Sequence, residues 1–289
     1  MILFCVNTQK EEQARFVRHL FLSYTGEKQI ITTANFDPTS ELVANASVIV
    51  FIGFLRGDGL IFNYCTKNNK NFLFIDHAYL HRGYSANNDE NEWMRVTPND
   101  FNWTLNQPAL SDRWIKHFAS TYPLKVWNQH NGNRILVLPP SKATQALFPQ
   151  SLEWVEKTIN EIRQHTDAPI YVREKPLQPI VDFETNVVTG KLKFEHPRSI
   201  EQDMLEAKCI VAFNSAVPVL GTIQGIPCYC SRYAASYPMN IKLDQIDDPP
   251  EPNRQSWLNQ LVYHQYTTAE LKNGTFWKMI VNHIPNFNK

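Results

Sequence analysis

Charged and polar residues follow a strongly apolar run in the first half of this chain of 289 residues. Asp76 comes directly after the run Asn71–Ile75, and Arg82 and Arg95 follow in a stretch rich in polar and aromatic residues. A carboxylate at the carboxyl end of a buried strand is placed where a general base is needed, so Asp76 could accept a hydroxyl proton. The two arginines could hold phosphate groups. The competing interpretation is that Asp76 caps a turn and that the arginines are solvated.

A second candidate is Ser141 with Lys142, which follow the apolar run Arg134–Leu138 and two prolines. A loop of this kind between a strand and a helix can present backbone N–H groups and one ammonium group to a phosphate. An ordinary proline-containing turn explains the same residues equally well.

A third candidate is the pair Arg173 and Lys175, at the end of the run Pro169–Val172. Residues two apart on a strand lie on the same side, so both cations could face a diphosphate. The competing interpretation is a local ion pair with Glu174.

A fourth candidate is Asn214 with Ser215, between an apolar run and a predicted helix that ends at Gly225. Serine is a favourable N-cap, and the free N–H groups of a helix N-terminus attract anions. Capping alone would also explain Ser215. We expect an anion site because a parallel sheet would place these residues opposite Arg173 and Lys175.

Short β-rich runs alternate with amphipathic helical patterns, and the alternation starts twice along the chain. The predicted strands are Ile2–Val6, Gln29–Thr32, Ser47–Ile52, Asn71–Ile75, Arg134–Leu138, Pro169–Val172, Cys209–Phe213 and Pro227–Cys230. This pattern predicts the α/β class, with two Rossmann-like, doubly wound domains that face a cleft. We place the first domain at residues 1–128 and the second at residues 129–289.

Composition excludes several classes of protein. The chain has 28 Lys and Arg against 28 Asp and Glu, which excludes a broad, strongly basic surface for nucleic acid but not a local basic groove. Hydrophobic residues make up 43% of the chain, which excludes wholesale disorder. No apolar run approaches the roughly 20 residues of a membrane span, and we expect no membrane association. The five cysteines form no CxxC pair, which favours reduced thiols and a cytoplasmic location.

Sequence motifs exclude further classes of enzyme. The chain contains no G-x-G-x-x-G, P-loop, H-E-x-x-H or G-x-S-x-G motif. His77 and His81 have the spacing of metal ligands on a helix, but Gly83 and the loop-like composition around them argue against a helix there. We therefore expect no metal site.

The C-terminal half resembles the nucleotide-sugar domain of GT-B-type glycosyltransferases. The segment that carries this resemblance is VAFNSAVPVLGTIQGIPCYC, which follows SIEQDMLEAKC. A narrower resemblance is to phage-encoded glycosyltransferases that modify hydroxymethylated bases in DNA. The segments that carry it are FIDHAYLHRGY, WMRVTPND, TDAPIYVREKP and WLNQLVYHQYTTAELKNGTFW.

The resemblance implies a GT-B-like architecture, in which the N-terminal domain binds the acceptor and the C-terminal domain binds a nucleotide-sugar donor, expected to be a UDP-sugar. It implies no tightly bound cofactor and no required metal. The last helix, near 267–283, would pack back on the N-terminal domain. The residues that it assigns to the donor phosphates are Ser141, Arg173, Lys175, Asn214 and Ser215. Asp76 would be the catalytic base, and the residues expected to bind the acceptor are Tyr79, Arg82, Arg95 and Asn99.

One position departs from the family pattern. Many such enzymes carry a glutamate that binds the donor ribose, and Leu220 stands where we expect that acid. Ribose recognition would then fall to Thr222 or Gln224, or the chain could be a non-catalytic module that binds nucleotide or DNA.

The acceptor implied by the narrower resemblance is 5-hydroxymethylcytosine in double-stranded DNA of a phage, in the host cytoplasm. The basic residues that could contact DNA phosphates are Arg113, Lys116, Lys125 and Arg134. The aromatic residues that could stack on a flipped base are Tyr79, Tyr84, Trp93, Phe101 and Trp103, although these could equally pack a long loop. The alternative acceptor is a carbohydrate such as a surface polysaccharide.

Overall fold

The structure, a computed structural model, describes residues 1–53, 58–81, 90–100, 102, 109–129, 131–173, 187–192 and 199–280. The chain divides into two compact units. Unit 1 comprises Met1–Gln107 and Val262–Lys289, and unit 2 comprises Pro108–Leu261. No helix within the described ranges combines the length and the apolar character that crossing a membrane requires.

Strands and helices alternate through most of the described chain. The strands are β1 (Ile2–Val6), β2 (Lys28–Thr32), β3 (Val48–Ile52), β4 (Asn71–His77), β5 (Trp93–Pro98), β6 (Arg134–Leu138), β7 (Ile170–Arg173), β8 (Gly190–Leu192), β9 (Ala207–Ala212), β10 (Cys228–Cys230) and β11 (Gln265–Thr267). The helices are α1 (Glu11–Ser23), α2 (Glu41–Asn45), α3 (Asp58–Lys67), α4 (Asp112–His117), α5 (Lys142–Leu147), α6 (Ser151–Ile162), α7 (Ile200–Leu205), α8 (Val217–Ile223), α9 (Gln255–Val262), α10 (Thr268–Lys272) and α11 (Thr275–Ile280).

The sheet of unit 1 has the strand order β11-β5-β4-β3-β1-β2 within the described residues. Strands β1 to β4 are parallel, whereas β5 is antiparallel to β4 and β11 is antiparallel to β5. Every residue of β1 and of β3 is buried, as expected for parallel strands covered on both faces. The carboxyl ends of β1 to β4 therefore share one edge, and the carboxyl end of β5 lies at the opposite edge.

The C-terminal segment completes the core of unit 1. The rings of Tyr266 and Phe276 lie 4.8 Å apart, edge to face, and the Trp277 ring lies 6.2 Å from that of Phe4. We expect one helix near 267–283, but the structure forms two short helices that meet at Gly274. Its φ of +80° is a conformation that glycine adopts readily and other residues do not, so the chain turns there.

The described sheet of unit 2 is parallel throughout, with the strand order β10-β9-β6-β7-β8. The chain leaves β6 toward β7 on one side, and it leaves β9 toward β10 on the other. The neighbouring strands β6 and β9 therefore flank a topological switch point, where open α/β sheets bind ligands beyond the carboxyl ends of the strands.

Helix α8 follows β9 directly and ends as the sequence predicts. Pro218 lies in its first turn, where the missing N–H costs no helical hydrogen bond. Gly225 follows the helix with a φ of +80°, and a Cβ atom there would lie 2.1 Å from the carbonyl oxygen of Val126. Backbone conformation and close approach both require glycine at this position.

The predicted fold class is confirmed: both units are α/β, with parallel-rich, Rossmann-like sheets. The antiparallel strand β5 was not expected from the sequence. Its residues, Trp93–Pro98, are all buried, but they stand between polar and aromatic stretches that indicate a loop.

Candidate functional site

Polar side chains from two neighbouring strands meet at the switch point of unit 2. Ser141 follows β6, and its hydroxyl accepts a hydrogen bond from the N–H of Thr144 at 3.1 Å, which caps α5. The hydroxyls of Ser141 and Thr144 lie 2.9 Å apart. The Thr144 hydroxyl also bonds the amide of Asn214, which follows β9, with 3.2 Å between Oγ1 and Nδ2. The structure thus joins two predicted site residues, Ser141 and Asn214, through Thr144.

Thr144 is a further candidate residue that the sequence pattern does not single out. Its side chain is only 8% exposed, and it is the one described residue that bonds both Ser141 and Asn214. A signal for it exists in the sequence, because the third residue of a helix is the one whose N–H an N-cap serine binds.

Ser215 lies beside this group, immediately before α8. Its hydroxyl accepts a hydrogen bond from the N–H of Val217 at 3.2 Å, while Ala216 occupies the N-cap position itself. Asn214 and Ser215 are partly exposed, whereas the preceding Phe213 is buried. The edge therefore presents hydroxyl and amide groups that can donate hydrogen bonds to an anionic ligand.

Arg173, which we expect to bind the donor phosphates, forms an ion pair with a residue of unit 2. It ends β7, and its guanidinium forms an ion pair with Asp203 of α7. Asp203 is fully buried and also pairs with Arg134 at 3.1 Å. Arg173 thus forms an ion pair within unit 2, whereas Glu174, its partner in the competing interpretation, and the expected cation Lys175 lie outside the described residues.

Of the two residues offered as substitutes for the ribose-binding acid, Thr222 is inaccessible to a ligand in this structure. Thr222 is completely buried, and its hydroxyl lies 3.5 Å from the Sγ atom of Cys228. Leu220 and Gln224 are both partly exposed on the same helix. Of the two proposed substitutes, Gln224 is the one with accessible surface.

In unit 1, Asp76 and Arg95 occupy directly opposite positions on the antiparallel strands β4 and β5. The Nη2 atom of Arg95 lies 2.6 Å from Oδ2 of Asp76. Its Nη1 atom donates to the hydroxyl of Tyr79 at 3.0 Å and to Oδ1 of Asn102 at 2.7 Å. The structure thus brings together three predicted residues, Asp76, Tyr79 and Arg95, and adds Asn102.

The environment of Asp76 favours its ionised form. Desolvation raises the pKa of Asp76, but the charges of Arg95 and His77, with hydrogen bonds from both residues, outweigh it and hold the pKa below its ordinary value. The side chain of Asp76 is 29% exposed, against 9% for Arg95. The carboxylate is therefore charged at neutral pH and reachable, but the ion pair lowers its proton affinity.

The structure does not bring Asn99 to Asp76. Because β5 runs antiparallel to β4, Asn99 lies beside the start of β4, where its Oδ1 atom accepts a hydrogen bond from the N–H of Phe72 at 2.9 Å. Its φ of +57° is typical of a turn residue. Asn99 therefore serves the turn after β5, at the opposite edge of the sheet from Asp76. Arg82 lies outside the described residues.

The residues expected to contact DNA are partly unavailable. Arg113 and Arg134 are 7% and 8% exposed, and Arg134 is ion-paired with both Asp203 and Glu206. Lys116 and Lys125 are exposed. Two of the four basic residues of the expected stretch are therefore buried.

The described aromatic residues that were expected to stack on a flipped base are also buried. Tyr79 and Trp93 are 3% and 7% exposed and belong to the interior of unit 1. Tyr84, Phe101 and Trp103 lie outside the described residues.

No group of three histidine, cysteine or acidic side chains suited to a metal ion occurs in the described part of the chain. His77 is the last residue of β4, and His81 has a φ of +53°, so the two do not share a helix. Independence of metal remains a prediction from the sequence.

Comparison with known proteins identifies the fold. No family model matches the chain, and no curated protein matches it. Among solved structures, the chain is similar to Thermosulfurimonas dismutans KpsC, beta Kdo 2,4 transferase, with a TM-score of 0.54, 12% identity and coverage of 92% of each chain. It is also similar to Thermosulfurimonas dismutans KpsC, beta Kdo 2,7 transferase, with a TM-score of 0.52, 9% identity and coverage of 98% of this chain and 99% of that chain. These similarities concern the fold, and the expected GT-B-like fold is confirmed.

Proposed function

We propose that this chain is a glycosyltransferase that moves a sugar from a nucleotide-sugar donor to a hydroxyl group of a carbohydrate acceptor. The observation that carries the proposal is the group formed by Ser141, Thr144 and Asn214 at the switch point of unit 2. Its hydroxyl and amide groups stand where a parallel α/β sheet binds ligands, and they suit the phosphates of a donor.

The similarity to two transferase structures over nearly the whole chain supports the reaction class. In such a reaction, the acceptor oxygen bonds to the anomeric carbon while the bond from that carbon to the phosphate oxygen breaks. The nucleotide leaves with the bonding electrons, and a base takes the hydroxyl proton. We propose Asp76 as this base, since it is ionised and partly exposed.

A carbohydrate acceptor is favoured over DNA. Both similar structures are named as Kdo transferases, which makes Kdo the first sugar to test. The DNA alternative requires basic residues at the surface, and burial of Arg113 and Arg134 weakens it.

A donor screen tests the proposal. The purified chain would be incubated with UDP-, GDP- and CMP-linked sugars and with an activated nucleotide form of Kdo, and release of the free nucleotide would be measured. At a donor concentration below the dissociation constant, we expect slow hydrolysis of one donor, reduced at least tenfold in the Asn214→Asp variant and retained in the control Asn160→Asp, which changes an exposed residue of α6. Absence of both binding and hydrolysis with every donor would refute the donor assignment.

A further inference from the structure

An open groove of about 1040 Å³ lies within unit 2, along one side of α6. Gln150, Trp154, Glu161 and His165 line it from the start of α6 to just beyond its end. Strand β10 and the chain that follows it form the opposite wall. Because α6 has 12 residues, the groove follows it for about 18 Å, which is long enough for several sugar rings in a row.

Partly exposed aromatic rings line this groove. The rings of Trp154 and Tyr229 stack with their planes at 7° and their centroids 5.7 Å apart. Tyr233 packs on Phe213 at 5.5 Å and carries the Arg232 guanidinium over its ring at 4.9 Å. Tyr237 is 49% exposed. Flat apolar rings that retain contact with solvent suit the C–H faces of sugars.

Charged side chains of both signs stand along the same groove. Arg232 and Lys242 contribute positive charges, and Glu161 and Asp244 contribute negative charges. A polyanion such as a nucleic acid requires mostly cations, so this mixture disfavours it. Side chains that both donate and accept hydrogen bonds suit the hydroxyl groups of a carbohydrate.

A peptide strand has little access to the β10 wall. The Asn240 amide accepts a hydrogen bond from the N–H of Cys230 at 3.0 Å and donates one to its carbonyl oxygen at 2.6 Å. The N–H of Ile241 donates to the carbonyl oxygen of Cys228 at 3.0 Å. These bonds occupy the strand edge that an added peptide would use.

We propose that this groove binds a linear carbohydrate chain, and that the bound chain is the acceptor glycan of the transferase. The binding itself follows from the aromatic rings, the mixed charges and the occupied strand edge. Its role as the acceptor rests on the proposed function.

Calorimetric titration with linear hexasaccharides, one neutral and one containing uronic acids, tests the proposal. UDP and a single-stranded DNA oligonucleotide would be titrated in parallel. The variants are Tyr237→Ala and Arg232→Ala, both at exposed residues whose loss should leave the fold intact. The control is Leu205→Ala, which truncates a residue of unit 2 with a comparable exposure of 43%, outside the residues that line the groove.

We expect at least one hexasaccharide to bind, with affinity reduced tenfold or more in Tyr237→Ala and unchanged in Leu205→Ala. Failure of both hexasaccharides to bind, binding unaffected by both groove variants, or competition by UDP would overturn the proposal. Binding of DNA in the groove would also overturn it. If a hexasaccharide binds but no sugar is transferred to any acceptor, the proposed function is refuted and the proposal that the groove binds a glycan stands. If sugar is transferred but no hexasaccharide binds in the groove, only the groove proposal is refuted.

Discussion

Asp76 and Arg95 face each other across two antiparallel strands, with 2.6 Å between Oδ2 and Nη2. The arginine is more deeply buried than the carboxylate. Its Nη1 atom donates hydrogen bonds to the Tyr79 hydroxyl and to Oδ1 of Asn102. The same carboxylate is the proposed catalytic base, so its charge has two consequences, one for stability and one for catalysis.

The Asp76→Asn variant should lose at least a hundredfold in the rate of transfer while it retains affinity for the donor. The amide has no basic oxygen to take the acceptor proton, and general base catalysis typically contributes 10² to 10⁴ in rate. Transfer kinetics and donor titration on the same preparation check this expectation. An unchanged rate would remove Asp76 from the catalytic role.

The same variant should be less stable by about 3 kcal/mol at neutral pH, because it leaves the buried Arg95 without its counter-ion. The pKa of Asp76 is lowered on folding, so the stabilising effect is fully present above the ordinary value of about 3.9 and is lost as the pH falls through the folded value. Urea unfolding of wild type and variant at several pH values measures this. The stability difference should stay constant at neutral pH and shrink below about pH 4.

The Thr144→Val variant should weaken donor binding about tenfold and cost about 1 kcal/mol of stability. The change keeps the size of the side chain but removes the hydroxyl that joins Ser141 to Asn214. Thr158→Val is the control, since Thr158 is also buried in unit 2 but bonds only the carbonyl oxygen of Trp154 among the hydrogen bonds described. Equal donor affinities in the two variants would contradict the role of Thr144.

The Asn214→Asp variant should bind the donor at least tenfold more weakly with little change in stability. The new carboxylate keeps the bond from the Thr144 hydroxyl but places a negative charge where we propose the donor phosphates. The weakening should diminish at high salt, because salt screens charges at a partly exposed site. If wild type and variant bind the donor with equal affinity, the donor phosphates do not lie beside Asn214.

The Asp203→Asn variant should lose about 3 kcal/mol or more of unfolding free energy. The change removes the buried carboxylate that pairs with both Arg134 and Arg173, and the remaining ion pair of Arg134 is with Glu206, which is far more exposed. Guanidinium chloride unfolding measures the loss. A nearly neutral substitution would contradict the stabilising role of the Asp203 carboxylate.

Much of the fold could be predicted from local sequence. The strands β1, β3, β6 and β9 are apolar runs buried throughout or nearly so, and Gly225 ends α8 where a glycine C-cap is expected. The direction of β5 could not be predicted, because antiparallel pairing depends on the path of the chain between β4 and β5. That direction places Asn99 at the opposite edge from Asp76.

A site residue can be predicted from the sequence where its position depends on its immediate neighbours. It cannot be predicted where its partner lies far along the chain. Ser141 caps the helix directly after it, and Asn214 follows its own strand. Arg173 pairs with Asp203, 30 residues away, whereas the acidic residue adjacent to it in the sequence is Glu174. Contacts at this separation depend on the packing of α7, which residue types and spacing do not specify.

One measurement tests the central claim most directly. The chain would be incubated with the nucleotide sugar that it hydrolyses, together with a linear oligosaccharide or with duplex DNA that contains 5-hydroxymethylcytosine, and the products would be weighed by mass spectrometry. We predict that the oligosaccharide gains the mass of one sugar and that the DNA gains none. A gain confined to the hydroxymethylated base would contradict the carbohydrate acceptor, and no gain on either acceptor would contradict the proposed transfer.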